Sequence, residues 1–378
     1  FNLKRLTEDI KSEVVIIGGG YTGLSCAINL IENYNLDVIL LEAGKIGWGA
    51  SSRNGGFCSF PPMKASFKKL QKIYGKEETK KFFKNSVEGS NYTKDIISNY
   101  NIDCDVTGEC NFILAHHPNK FKQIKEQAEV YKSDFGIETK IYSKEEFNRI
   151  GHNGTEQFGA ISYKPGFAIN PLKFVNGIAR YALSKKLRIF EHSLVSKIEK
   201  NEGFYILRTK EGSINTKKIV VATNGFYQEG LIPQMNSRIL PVISNIIVTR
   251  KLSKTEIDLH NFKTYSPIAN TKNLLYYYRK LPDNRILFGT RGDFIGSDQS
   301  NFERSKKMEK FLKNIFPEWS NISIDYNWRG LIAMSQKLTP SIGKIESEEI
   351  YYGFGYHGVG VSTAPWTGKQ LSKLVFSS

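Results

Sequence analysis

The stretch from Val14 to Glu42 constrains this chain more than any other. Val14, Val15, Ile16 and Ile17 form a short β-branched run of the length and character of a fully buried strand. GGGYTG follows at once, setting Gly18, Gly20 and Gly23 in a G-x-G-x-x-G spacing with Tyr21 and Thr22 between them. Leu24, Ala27, Ile28 and Ile31 then recur at i, i+3, i+4 and i+7, the stripe of a helix packed on a sheet. A second apolar run, Val38 to Leu41, ends in Glu42.

Each position has a physical task. Gly18 permits a tight strand-to-helix turn, Gly20 lets a pyrophosphate approach the backbone, and Gly23 lets helix and strand pack closely. Free N–H groups and the positive end of the helix dipole hold phosphate. Glu42 stands where a carboxylate accepts hydrogen bonds from an adenosine ribose. Glycines alone would be weak evidence, since a bare G-x-G-x-x-G arises by chance. Strand, glycines, striped helix, second strand and terminal acid together predict a dinucleotide-binding unit.

A chain of 378 residues buries a large core, and its length suits two domains. No apolar run approaches eighteen residues, so no spanning helix is expected, and Phe1 to Ile10 lacks the apolar centre of a signal peptide. Cys26, Cys58, Cys104 and Cys110 make no C-x-x-C pair and no zinc-like cluster, so no metal is expected. A reduced, buried Cys26 within the first helix suits the cytoplasm. The formal charge is +16, yet the lysines are scattered in short pairs, which points to a solvated surface rather than a nucleic-acid face.

The glycine-rich loop from Gly44 to Phe57 suits close backbone approach to a ligand. Beyond the Pro61-Pro62 break, helices are expected over Lys64 to Tyr74, Glu77 to Tyr100 and Phe121 to Tyr131. His116-His117 reads as a loop pair. Asn170-Pro171 starts a helix as N-cap and first turn. Ile219 to Ala222 returns to the central sheet and ends in Thr223-Asn224-Gly225, a second candidate cofactor contact at a strand's carboxyl end. Long strands follow over Val242–Arg250, Leu274–Arg279 and Ile286–Arg291, in which Tyr276 and Tyr278 share one face and Tyr277 and Arg279 the other. Asn301 is expected to cap a helix, and Ile322, Ile324, Tyr326 and Trp328 alternate as a strand into Arg329-Gly330. A strand over Ile350 to Phe354 leads through a turn containing His357, Gly358, Val359 and Gly360 into a last helix, whose N-terminus favours negative charge.

VVIIGGGYTGLSCAINL followed by VILLEAGKIGWGASSRNGG resembles the start of the D-amino-acid-oxidase-like FAD oxidoreductases, and most of all their γ-glutamylputrescine oxidase branch. VATNGF, ILFGTR, WRGLIAMS and GYHGVG extend the likeness in order to the end of the chain. The resemblance implies an α/β fold. A Rossmann-like FAD-binding domain (residues 1–90, 150–232 and 325–378) carries an inserted α+β substrate domain (91–149 and 233–324) with a large, mostly antiparallel sheet. It places Gly18, Gly20, Tyr21, Thr22 and Gly23 at the pyrophosphate and Glu42 at the ribose. Ala50, Ser51, Ser52, Arg53, Asn54, Gly55 and Gly56 run along the flavin, and Val195 meets adenine. Thr223, Asn224, Gly225 and Gly330 complete the cofactor contacts, and His357, Gly358, Val359 and Gly360 reach the pyrimidine end. Gln336 and Lys337 replace an acid common after the family's W-x-G motif, and Gly360 replaces the lysine of sarcosine-oxidase relatives. No tethering residue has a clear counterpart, so FAD is expected to be noncovalent.

The implied chemistry is oxidation of a C–N bond in a small amine or amino acid. Hydride passes from the α-carbon to flavin N5, the imine is hydrolysed, and O2 or another acceptor takes up the electrons. His357, Tyr276, Tyr278 and Trp328 are the candidates for an aromatic substrate pocket, with Arg53 as a cofactor contact or carboxylate anchor. Two alternatives use the positive charge: a flavoprotein acting on a tRNA-attached amine, and a nonenzymatic nucleic-acid-binding protein.

Overall fold

Val14–Ile17 proves to be the inner end of a longer strand, Asp9–Ile17, whose last four residues are all buried. The computed structural model describes residues 1–60, 67–293 and 295–377. Asp9–Ile17 pairs in parallel with Val38–Leu41 on one side and Ser213–Val221 on the other. Arg188–Phe190 and Ile350–Phe354 extend this parallel core outward. Ser341–Lys344 closes one edge antiparallel, and Lys197–Asn201 with Phe204–Arg208 folds onto Ser213–Val221. The sheet therefore draws its parallel strands from the N-terminal, middle and C-terminal stretches.

Parallel strands bury both faces. One face is covered by helices Tyr21–Tyr34, Pro171–Ser184 and Gly360–Phe376, which contribute Leu24, Ile28, Val175, Ile178, Val361 and Leu371 to a common core. The other packs Val15, Ile17, Ile39 and Val221 against Tyr205 and Met235. Asn170 does cap its helix, its side chain accepting from the Lys173 N–H. The first and last helices approach to backbone contact, since a Cβ on Gly368 would lie 2.4 Å from the Thr22 carbonyl oxygen. Ser25 Oγ donates to the Pro365 carbonyl at 2.7 Å, and the Thr22 and Tyr356 hydroxyls, 334 positions apart in sequence, meet at 2.6 Å.

The second sheet runs in the order Ile324–Met334, Leu240–Thr249, Ile286–Asp293, Tyr276–Lys280, Ile268–Asn270, Asn111–Leu114, Ala160–Tyr163 and Thr139–Tyr142. It is mostly antiparallel, as expected, with Ile268–Asn270 and Asn111–Leu114 the parallel pair. Helix Asp298–Ile315 and the Phe316–Trp319 corner fill one face with an apolar core.

Several expectations need correction. Ala160–Tyr163 and Ile324–Met334 belong to the second sheet, although the expected limits give 150–232 and 325–378 to the cofactor domain. Helix Phe67–Asn99 runs through the expected boundary at 90 and 91. Strand partners are chosen by long-range pairing, which local composition does not record. The expected break between two helices falls at Gly75, whose φ of 80° is not helical, whereas Pro61-Pro62 and the start of the helix expected from Lys64 lie outside the described residues. The cap of helix Asp298–Ile315 is Ser297 rather than Asn301, which lies inside the helix. His117 caps helix Pro118–Phe135, and His116 bonds Thr271.

Gly23 is the tightest point of the first turn, because a Cβ there would stand 2.0 Å from the Gly18 carbonyl oxygen. Gly23→Ala is expected to lower unfolding stability by about 1–3 kcal/mol through overpacking. Urea titration of the flavin-free protein checks this independently of cofactor content.

Candidate active site

A cavity of about 500 Å³ lies between the carboxyl ends of the parallel strands and one face of the second sheet. Two helix N-termini open onto it. Tyr21–Tyr34 begins at Gly20 and Gly360–Phe376 at Val359, and neither cap residue supplies a side-chain hydrogen bond. Uncapped N–H groups and the dipole make each end attractive to negative charge. Gly18, with φ of 114°, brings the turn against Ala222, whose carbonyl oxygen would be 2.7 Å from a Cβ. The Tyr21 N–H is taken by Ser51 Oγ at 3.1 Å. Thr223 Oγ1, at the second turn, is buried and has no partner among the described residues. Next to it, the Asn224 side-chain oxygen accepts from Gly355 N–H at 3.0 Å, joining the second and third glycine turns.

Glu42 does more than the sequence suggests. Its carboxylate accepts from Gly19 N–H at 2.7 Å and Gly44 N–H at 2.8 Å, so it clamps the turn to the loop that follows. Burial raises its pKa against those hydrogen bonds, and neighbouring Glu191 raises it further. Two oxygens have lone pairs beyond these two bonds, enough to receive ribose hydroxyls as well. The Ser193 N–H bonds the Glu42 carbonyl, which brings Val195 to the same end of the cavity.

Within the glycine-rich loop the chain makes a short helix, Ala50–Arg53, closed by Asn54 Nδ2 on the Ala50 and Ser51 carbonyls. The Arg53 guanidinium lies over the Trp48 ring at 4.5 Å and donates through Nε to the Trp48 carbonyl, so it braces the loop. Trp328 donates its indole N–H to the Arg53 carbonyl at 2.8 Å. That bond straps the loop to the second sheet, and Trp328 is absent from the cavity wall. Ala50, Ser51, Arg53, Asn54, Gly55 and Gly330 line the cavity, whereas Gly23, Ser52, Gly56 and Gly225 do not. Gly56 acts by conformation instead: its φ is 77° and a Cβ would collide with the Ile169 carbonyl.

His357 lines the cavity with Gly358, Val359 and Gly360. Its φ is 52° and that of Gly358 is 91°. The His357 N–H donates to the Ala333 carbonyl, and its carbonyl accepts from Arg291 Nη2 at 3.3 Å. Nε2 lies 3.1 Å from Ser335 Oγ, whose proton can reach the Thr339 carbonyl, leaving the serine oxygen to accept. Burial, then the Arg291 charge, lowers the imidazole pKa to about 4, so the ring is neutral at pH 7.

With Trp328 removed from the wall, the second sheet corrects two further catalytic candidates. Tyr276 and Tyr278 point into the aromatic core with Phe288 and Phe316, and Tyr278 meets His152 Nε2 at 2.9 Å. The opposite parity faces the cavity. Tyr277 stands there, its hydroxyl 2.9 Å from Ser244 Oγ and its ring edge-on to Phe57. Gly289 makes the slot for that ring, since a Cβ would lie 2.1 Å from it. Arg291, one strand over, lines the cavity with Nε and Nη1 buried and unpartnered among the described residues, and no carboxylate pairs with it there. Desolvation lowers its pKa. The signal for Arg291 was a lone charge at the end of the apolar ILFGTR run.

Residues 13–374 match the family described as FAD dependent oxidoreductase. The chain belongs to this family. It is 30% identical over 375 residues to gamma-glutamylputrescine oxidoreductase of Escherichia coli (strain K12), covering 98% of this chain and 85% of that protein. Glycine oxidase from Geobacillus kaustophilus shares the fold with a TM-score of 0.79 at 16% identity, covering 97% of this chain and 95% of that one. For L-proline dehydrogenase from P. horikoshii the TM-score is 0.78 at 22% identity, covering 98% and 94%. The protein is therefore an FAD-dependent oxidoreductase, and the nonenzymatic binding-protein alternative is set aside. The cavity fits this cofactor. It offers an uncapped helix N-terminus at the glycine turn, an orphaned Thr223 hydroxyl, a clamped acid at Glu42 and a second uncapped N-terminus at the far turn.

Two outcomes follow. Cys58 is buried beside the Ser90 carbonyl, outside the cavity wall, and burial pushes its thiol up to about 12. Acid precipitation should therefore release the yellow colour, and Cys58→Ala should retain it. His357 binds a proton less readily folded than unfolded, so it withdraws stability as pH falls from about 6.5 toward about 4. Denaturant titrations at pH 7 and pH 4.5 should show a smaller acid loss in His357→Gln than in the wild type.

Proposed function

We propose that this enzyme oxidises the C–N bond of a small primary or secondary amine that also carries a carboxylate. The observation behind this reading is Arg291, a buried guanidinium in the cavity wall with no acid partner among the described residues. Glu42 is the one acidic side chain among the described residues of that wall, and Gly19 and Gly44 already hold its oxygens. Such a cavity disfavours a dicationic polyamine and favours an anion. Gamma-glutamylputrescine, glycine and L-proline, for which the similar proteins are named, each unite an amine with a carboxylate.

Bound FAD would supply the two-electron acceptor for this oxidation. The residues beside it supply the rest. Gly18, Gly20 and the helix behind them hold its phosphates, and Glu42 its ribose. The N-terminus at Gly360 stabilises negative charge developing at the far turn. Arg291 takes the substrate carboxylate by charge-assisted hydrogen bonds, and Tyr277, braced by Ser244, forms the wall beside it. The neutral His357 ring contacts the substrate or the flavin without adding charge. With no free acid among the described wall residues to hold an ammonium, the amine binds in its reactive neutral form and needs no dedicated base. The imine then hydrolyses to a carbonyl compound and a smaller amine or ammonia. Dioxygen or another acceptor completes turnover. The four unpaired thiols favour a reducing compartment, the cytoplasm.

Arg291→Met should keep FAD. It should weaken productive binding of carboxylate-bearing amines about tenfold to a hundredfold, the worth of a charged hydrogen bond. Anaerobic bleaching of the flavin by matched amino acids and their amides measures this. Equal bleaching of wild type by acid and amide forms would remove the carboxylate from the reading.

A further inference from the structure

Two large rings meet at the open edge of the cavity. Trp48 and Phe226 both line it, yet they remain 52% and 41% exposed. Their centroids are 5.8 Å apart, and the planes meet edge-on at 67°. Trp48 sits on the loop that leaves the strand Val38–Leu41, and Phe226 on the turn that leaves Ser213–Val221. These strands flank Asp9–Ile17 on opposite sides, so loop and turn start two strand spacings, about 10 Å, apart. The glycine turn at residues 18–20 leaves the strand between them and lines the same cavity. The ring contact therefore spans that turn from one side to the other. Each ring is held in place. The Arg53 guanidinium covers Trp48 at 4.5 Å, and Trp328 ties the Arg53 carbonyl to the second sheet. A Cβ on Gly44 would lie 3.4 Å from Trp48 Cγ and 3.6 Å from Glu42 Oε1, so the indole borders the ribose acid. The Phe226 N–H donates to the Thr223 carbonyl at 3.0 Å, and Gly49 leaves room for the ring, since a Cβ there would stand 3.1 Å from it.

We propose that Trp48 and Phe226 form an aromatic bridge over the diphosphate of FAD, which must part for the cofactor to enter or leave. This rests on the reading that Gly18 and Gly20 hold the phosphates, and not on the identity of the amine. The bridge acts by shielding. It keeps water and salt from the helix N-terminus, where they would screen the dipole that holds phosphate. A cofactor without a covalent tether gains a kinetic hold in this way. A closed bridge also slows entry, because only the opened fraction of the flavin-free protein can bind. Slowing in both directions is the mark of a bridge, whereas a ring that merely touches the cofactor slows release.

Mixing flavin-free protein with FAD and following the quenching of flavin fluorescence gives the uptake rate. Release is read by adding a phosphodiesterase that cuts free FAD, and following the brighter fluorescence of the FMN formed. Trp48→Ala and Phe226→Ala should each speed both uptake and release about twofold to tenfold, the range of an aromatic pair. The double variant should go no further than either single one, since one ring alone bridges nothing. Trp48→Ala carries the test if Phe226→Ala fails to fold, which urea titration of the flavin-free variants reports. Faster release with unchanged uptake would overturn the bridge, and so would additive effects in the double variant. If both rates stay unchanged while Gly20→Val still slows uptake, the phosphate reading stands and the bridge falls. If Gly20→Val leaves uptake unchanged as well, both fall.

Discussion

The close approach of the first and last helices is the contact on which the rest of the site depends. Gly368 lets the last helix settle against the Thr22 backbone, and the Thr22–Tyr356 hydroxyl pair ties the first helix to the turn that precedes the last. Because both helices begin at glycine turns, that contact places two uncapped N-termini on one cavity. An extended ligand with phosphate at one turn and an electron-accepting ring at the other then meets stabilising dipoles at both ends. The parallel sheet beneath supplies the strand ends, and the Asn224–Gly355 bond keeps the middle turn in line with the last.

The second sheet is coupled to this frame through specific bonds. Trp328 holds the Arg53 carbonyl, Arg53 holds Trp48, and Arg291 reaches the His357 carbonyl. The second sheet and the glycine-rich loop therefore cannot shift independently without losing these hydrogen bonds. The same arrangement sets the electrostatics. Among the described residues of the wall, the buried Arg291 cation and the neutral His357 imidazole meet no acid except the clamped Glu42.

Much of the cofactor half was legible along the chain, because its determinants are local. A tight turn, a close helix and a clamped acid all leave their marks within Val14 to Glu42, and the turn at Gly355 to Gly358 leaves its own. The substrate half was less legible. Arg291 carries no local motif, since a lone arginine is an ordinary residue until a sheet sets it in the cavity wall.

The strand Tyr276–Lys280 shows where the division falls. The period of two in a strand determined by itself that Tyr276 pairs with Tyr278 and Tyr277 with Arg279. It also determined, through glycine spacing and the apolar stripes, that a dinucleotide unit begins the chain. Which face of that strand lines the cavity was decided only when helix Asp298–Ile315 covered the other one. Alternation is a property of the backbone, but burial depends on what packs against each face, and those partners come from distant parts of the chain.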